Sequence, residues 1–422
     1  MMDTLIKSFG DLPPEAILKT DLLRLGIAFT EEALQRMSGK KEKSYFIFSF
    51  DRVLQKELSP LEKTAAPEEI ALTGGPYDLK RTIVSVRLNP HSPYQINWQE
   101  GEFRLCQGGE TLATVLPPSR PAYYDEPLSS GKPVQDIAPT IEWGYLIYLT
   151  AFRLCQYWGE KEECQFCDIN ENYRQQKKER SYTGVKQVEE ILEGLKIIKE
   201  KDTERVSQAY TVTGGSITST LEGMDEAAFY ARYAEAIESK FPGRWIPKAV
   251  VQALPLKNVK QLKKAGYQIY HPNFEVWDKN LFVQLCPGKE KMIGRDEWIK
   301  RILDAAEIFG PSQVIPNFVA GIEMSKPHGF QTVSEAIRST EEGLNYFMSR
   351  GIAPRFTVWC VEPGTTLYTT NPEPPPLDYY LRLLEVYRET FYKHNLPLPP
   401  GYGPAGVGKA LFSVSAFMDI LN

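Results

Sequence analysis

The sequence predicts an α/β protein: a parallel sheet of six strands, preceded by an α+β module and followed by a helical extension. Three observations carry this. Beyond residue 143, six short apolar segments alternate with helical patterns, and that rhythm builds parallel sheets. Before residue 136, strand signals succeed one another with Gly-Gly and Asn-Pro punctuation, which suits antiparallel pairing. After Thr370 comes Asn-Pro-Glu-Pro-Pro-Pro, a break that ends the rhythm. At 422 residues the chain can bury one large core and a smaller module.

Residues 1–136 make up the first module. Helical periodicity at 14–25 and 30–37 opens it, an apolar strand is expected at 44–50, and further strands at 81–88, 94–98 and 102–106. Residues 117–139 are rich in Pro, Ser, Gly and Tyr without a helical period, which reads as an extended wrap around the next domain. In the central domain, 137–372, strands are expected at 146–153, 208–213, 246–253, 267–276, 313–322 and 356–361. Helices between them are expected at 185–200, 225–240, 256–265, 296–309 and 332–349. Such a sheet is either open or curled into a partial barrel, and its ligands sit at the carboxyl ends of the strands. The final stretch, 373–422, holds a helix at 377–394 and a Gly/Pro-rich tail.

Composition removes several function classes. A net charge of −5 leaves no footprint for nucleic acid or an anionic membrane. Lys177, Lys178 and Arg180 form a short basic run that reads as a solvated helix face. Met-Met-Asp-Thr-Leu lacks a signal-peptide apolar region, and no apolar run approaches a membrane span. Six cysteines in so long a chain are no disulfide scaffold, and with the missing signal they point to a reducing, cytoplasmic setting.

Cys155, Cys164 and Cys167 occupy one loop directly after the first strand of the parallel sheet, at its functional end. Three thiolates make a metal site that lacks a fourth ligand. A [4Fe–4S] cube so held keeps one iron open, whereas structural zinc closes all four positions. Zinc completed by a remote His, or three unrelated cysteines, are the alternatives on spacing alone. A zinc hydrolase finds no His/Glu cluster at ligand spacing.

Two further segments stand in register with the cysteines. Thr213-Gly214-Gly215-Ser216 closes the second strand, and His271-Pro272-Asn273-Phe274-Glu275 closes the fourth. Together with Phe166 before the last cysteine, this pattern resembles the radical S-adenosylmethionine (SAM) superfamily over roughly residues 145–367. The Asn-x-Glu element is similar to the biotin synthase and tyrosine lyase branch. The resemblance implies a partial (β/α)6 TIM-like barrel, a [4Fe–4S] cluster on Cys155, Cys164 and Cys167, and SAM chelating the open iron. It implies SAM contacts from Phe166, Gly214, Gly215, Ser216, Asn273 and Glu275, from Arg295 on the following helix, and from Ile322 against adenine. It also implies a small-molecule substrate, hydrogen abstraction by a 5′-deoxyadenosyl radical, and an external reductant such as ferredoxin or flavodoxin.

Two departures are visible. The usual spacing is Cys-x3-Cys-x2-Cys, and here it is Cys-x8-Cys-x2-Cys, with residues 158–163 expected to bulge outward. Ser216 stands where the family has an acid, so the backbone part of that motif is what carries over. The other class of reading is a non-catalytic iron–sulfur or zinc-binding scaffold on the same barrel. Of the remaining cysteines, Cys106 reads as packed, Cys286 precedes Pro-Gly in a loop, and Cys360 is a candidate hydrogen-atom donor if it faces the interior. The N-terminal module and the wrap are expected to close the barrel mouth.

Overall fold

The structure, a computed structural model, describes residues 2–177 and 182–422; Lys178 and Arg180 of the basic run lie outside the described residues. The first module is a sheet of β1 (Ala28–Phe29), β2 (Glu69–Gly74), β3 (Leu79–Ser85), β4 (Tyr94–Gln99), β5 (Glu102–Gln107) and β6 (Glu110–Leu116). Its spatial order is β1-β4-β5-β6-β2-β3. Strands β4 to β6 meander through Glu100-Gly101 and Gly108-Gly109, all four at positive φ, the geometry that tight hairpins need. Helix Pro14–Leu25 packs on β3.

The strand expected at 44–50 does not form. Tyr45 and Phe50 take φ of 52° and 50°, which breaks an extended run. The segment finds its hydrogen bonds in the second domain instead: Ser49 N–H donates to Asp168 (3.0 Å), Phe50 N–H to Glu362 (2.6 Å), and Asn172 Nδ2 donates to the Tyr45 carbonyl (3.2 Å).

The second sheet begins with β7 (Thr140–Ile141), antiparallel to β8 (Leu146–Phe152). Then β9 (Ala209–Gly214), β10 (Ile246–Val251) and β11 (Ile269–Pro272) add in order, all parallel. The last pair, β12 (Asn317–Ala320) and β13 (Arg355–Val358), is also parallel. Parallel bridges Tyr270–Val314 and Glu275–Phe318 tie β12 to β11. Both strands are shorter than the apolar runs that predicted them. Pro272 and Pro316 cannot donate to a ladder, and Glu275 turns the chain at φ 78°. Helices Val188–Lys201, Glu226–Lys240, Leu256–Lys264, Arg295–Phe309 and Val333–Met348 connect the strands. Two start on side-chain caps, Asp225 to Ala228 N–H (2.8 Å) and the Thr332/Glu335 capping box.

Residues from β8, β9, β10, β12 and β13 line one cavity, so the sheet curls around it. It does not close on itself. The tail enters the gap: Val358 N–H donates to the Val414 carbonyl (3.1 Å) and Ser85 N–H to the Ser413 carbonyl (3.0 Å). The tail therefore stitches β13 to β3, and a buried Lys19–Asp419 ion pair (2.8 Å) anchors it. Helix Leu377–Lys393 packs on Val333–Met348. No helix among the described residues is long and apolar enough to cross a membrane.

Candidate functional site

The cavity measures about 240 Å³ and runs from the carboxyl ends of the strands to their amino ends. Cys155, Cys164, Phe166 and Cys167 line its rim with Gly214, Gly215, Ser216, Asn273 and Glu275, so the segments read as chemistry in the sequence share one wall. The three thiols are partly exposed to it. Burial, the first cause in each case, pushes the Cys155 thiol up to about 11 and Cys167 well up. Cys164 is shifted down, first by a hydrogen bond from buried Cys286. A bound metal reverses such burial effects by displacing the thiol protons.

The fit to a metal group follows from the donor set. One zinc draws its sulfurs to ~2.3 Å from a single point. Among the described residues, no group of three or more His, Cys, Asp or Glu side chains is spaced to hold a metal ion. A cube gives each thiolate its own iron and does not ask the sulfurs to converge on one atom. The set on this rim, three thiols and no imidazole, is the soft donor set that iron–sulfur clusters use.

The inserted residues do not disturb this rim. Gln156–Glu160 form a short 3-10 helix. Gln156 Oε1 accepts from Thr218 N–H (2.7 Å), Tyr157 hydroxyl donates to Gln252 (2.5 Å), and the Glu162 carbonyl accepts from Gly288 N–H (3.0 Å). Trp158, expected to bulge outward, lines the cavity with Tyr157. The two glycines after β9 permit a contact that the sequence does not reveal. A Cβ on Gly215 would collide with the Leu154 carbonyl and stand 2.5 Å from the Cys155 Cα, and one on Gly214 would meet the Tyr230 hydroxyl at 2.6 Å. They let the cysteine loop lie against the end of β9.

Asn273 lines the cavity, and its buried Oδ1 lacks a hydrogen-bond partner in the described structure. Glu275 is engaged: Lys289 Nζ donates to it at 2.5 Å and to the Asn273 carbonyl at 3.2 Å, with both charged side chains 8% exposed. Glu226, at the start of the helix after β9, accepts from Ile217 N–H (2.8 Å) and Gln252 N–H (3.0 Å). Glu362 faces Asp168, and burial first, then that neighbouring carboxylate, pushes its pKa well up.

Two expected contacts are not brought to this wall. Arg295 lies in a separate cleft with Asp278 and Glu335, its guanidinium donating to the Trp277 carbonyl (2.9 and 2.6 Å) and stacked over the Trp277 ring. Ile322 is fully buried in the 3-10 turn Ile322–Met324, because Gly321 at φ 112° swings the chain off β12; Val319 faces the cavity in its place. Cys360 does line the cavity, while Cys106 sits in the first sheet beside Thr111 (3.7 Å). Residues 45–50 supply a mouth of Phe46, Ile47, Phe48 and Phe50. Part of the N-terminal module thus enters the cavity, whereas the wrap at 117–139 runs along helix Val188–Lys201 through Lys132–Glu190 (2.8 Å) and Ser129–Glu193.

The floor was not foreseen. Arg355 and Glu142 line the cavity at its far end, and Thr211, Lys248 and His271 are buried on β9, β10 and β11. Burial raises Glu142 to about 7 and lowers Lys248 to about 7, each partly offset by the other's charge. Burial, then Arg355 and Lys248, depress His271 well below its usual range; its Nδ1 faces the Ile315 carbonyl (2.9 Å). His271 is therefore neutral in the fold and protonates readily only when unfolded, at about pH 6.5. Stability is retained above that pH and lost as pH falls through it. Between pH 7 and 5.5, wild type should lose about 1 kcal/mol more than His271→Gln in urea titrations. Parallel losses would exclude this histidine as a source of acid lability.

No family model matches the chain, and no curated protein does. Among solved structures it is similar to HydG, a maturase of the FeFe-hydrogenase, at 13% identity over 58% of this chain and 49% of that one (TM-score 0.42). The match spans about half the length of that maturase. It is also similar to the methylornithine synthase PylB, at 14% identity over 63% and 75% of the two chains (TM-score 0.40). A third is coproporphyrinogen III oxidase HemN from Escherichia coli, a radical SAM enzyme, at 12% identity over 59% and 52% (TM-score 0.35).

Proposed function

We propose that this chain is a radical SAM enzyme on a partial (β/α)6 barrel, acting on a small molecule. The observation that carries the reading is that Cys155, Cys164 and Cys167 open together onto one rim of a single cavity, beside Ser216 and Asn273. Bound there, a [4Fe–4S] cluster with an open iron supplies the reductive cleavage of SAM to a 5′-deoxyadenosyl radical.

The chain's own residues hold and shield. The thiolates of Cys155, Cys164 and Cys167 would hold the cluster. The unpartnered Asn273 Oδ1 is an acceptor for an ammonium or hydroxyl group, and Ser216 offers a further polar contact at the rim. Lys289, also in the lining, holds Glu275 in place. Phe46, Phe48 and Phe50 keep water from the mouth, which protects a reactive intermediate. The electron comes from an external donor of the ferredoxin or flavodoxin class.

The test is an anaerobic assay with dithionite, SAM and a metabolite panel, followed by product analysis. Wild type should release 5′-deoxyadenosine, Cys164→Ala should release none, and deuterated substrate should transfer deuterium into it. An adenosylated or sulfur-bearing product without deuterium transfer would exclude hydrogen abstraction.

A further inference from the structure

Arg355 opens β13 and lines the floor of the cavity, while Cys360, two residues past the end of that strand, lines it roughly 16 Å of extended chain away. The other charges at that end have counter-charges. Lys41 pairs with Glu69 (3.6 Å), Lys43 pairs with Asp51, and Lys248 and Glu142 offset each other. Glu68 accepts from Ser44 N–H and Oγ, both at 2.8 Å, and its closest cations are Lys41 and Lys43. Arg355 is different. Its Nε is buried without a hydrogen-bond partner, Tyr402 offers it a hydroxyl and a ring face, Phe412 offers a second ring, and among the described residues it forms no ion pair; Glu142, shared with Lys248, is the carboxylate whose charge reaches it. One carboxylate shared between two buried cations, and in contact with neither as an ion pair, leaves this guanidinium short of negative charge, which is costly unless something anionic meets it.

We propose that Arg355 is the anchor for a substrate carboxylate, and that the substrate is an apolar carboxylic acid lying between this floor and the cysteine rim. The inference rests on the radical SAM reading for the rim and on the floor's own geometry for the ligand. A guanidinium fork meets a carboxylate bidentately. A phosphate fits the fork as well, but it carries close to two negative charges, and one guanidinium matches one. The walls above the floor are Ile141, Tyr148, Val319, Phe412 and Val414, which suit an aryl or alkyl body. Asn317, whose buried Oδ1 lacks a partner in the described structure, adds one acceptor for a hydroxyl or amide on that body.

The experiment is calorimetric titration of reconstituted protein with octanoate, 3-phenylpropionate and 4-phenylbutyrate, each beside its primary amide. At least one acid should bind tenfold or more tighter than its amide. Arg355→Gln should erase that preference, and Arg355→Lys, which keeps the charge but loses the fork, should fall between. Acids and amides that bind alike, or not at all, would overturn the inference, as would an acid preference that survives in Arg355→Gln. The wild-type ratio needs no variant, so a misfolded variant does not spare the claim. Iron and sulfide content of the same preparation are read separately. Iron without acid preference defeats this inference alone; acid preference without iron defeats the reading of the cysteines alone.

Discussion

Gly215→Ala is expected to leave a folded protein that no longer retains iron at the cysteine loop. The new methyl group would occupy the position of the Leu154 carbonyl and press on the Cys155 Cα, both backbone atoms with no rotamer to change. Overpacking of this kind costs ~1–3 kcal/mol, which a chain of this size can survive. The displaced segment carries the first thiolate, so the loss falls on the cluster. Gly159→Ala is the control, because a Cβ there meets nothing within 4 Å although it lies in the same loop. Iron analysis after anaerobic reconstitution should give about four per chain for wild type and Gly159→Ala, and near background for Gly215→Ala. Full iron in Gly215→Ala would mean that the loop and the end of β9 are not locked together.

The second large effect is on stability. Glu275→Gln and Lys289→Met should each cost about 3–5 kcal/mol, because each leaves the other charge buried and alone. The double replacement should recover most of that loss, since no unpaired charge remains. The family resemblance marks Glu275 only as a SAM contact; the Lys289 ammonium beside it adds a structural role. Urea unfolding of the four proteins checks it. Additive losses in the double variant would mean that the two groups act separately.

The way this site is divided between sequence and structure has physical causes. Strand ends and loop motifs are local, so the cysteine loop, the Gly-Gly turn and Asn273 could be read in line and then found on one wall. The order of β8 to β13 was equally legible, because strand–helix alternation dictates parallel neighbours. What escaped was everything set by long-range packing. Lys289 sits fourteen positions after Glu275 in Gly288-Lys289-Glu290-Lys291, which reads as an exposed helical turn. Cys286 reads as a loop thiol and lies against Cys164. Arg295 satisfied a family pattern but is captured by the Trp277 carbonyl, eighteen positions earlier in the chain. The apolar run at 44–50 looks like a strand, and only the hydrogen bonds to Asp168 and Glu362 show why it is a plug. β2 and β6 were missed because their pairing partners, not their own patterns, define them. Arg355 begins a strand, where a charged residue raises no signal.

The central claim is that three cysteines of one loop hold a four-iron cluster whose open iron binds SAM. The most direct measurement is low-temperature electron paramagnetic resonance of reconstituted, dithionite-reduced protein with and without SAM, run beside Cys155→Ala, Cys164→Ala and Cys167→Ala. The account predicts one reduced [4Fe–4S] signal per chain that shifts on adding SAM, and its loss in each of the three variants. A signal that SAM leaves unchanged, or one that survives the removal of Cys164, would contradict it.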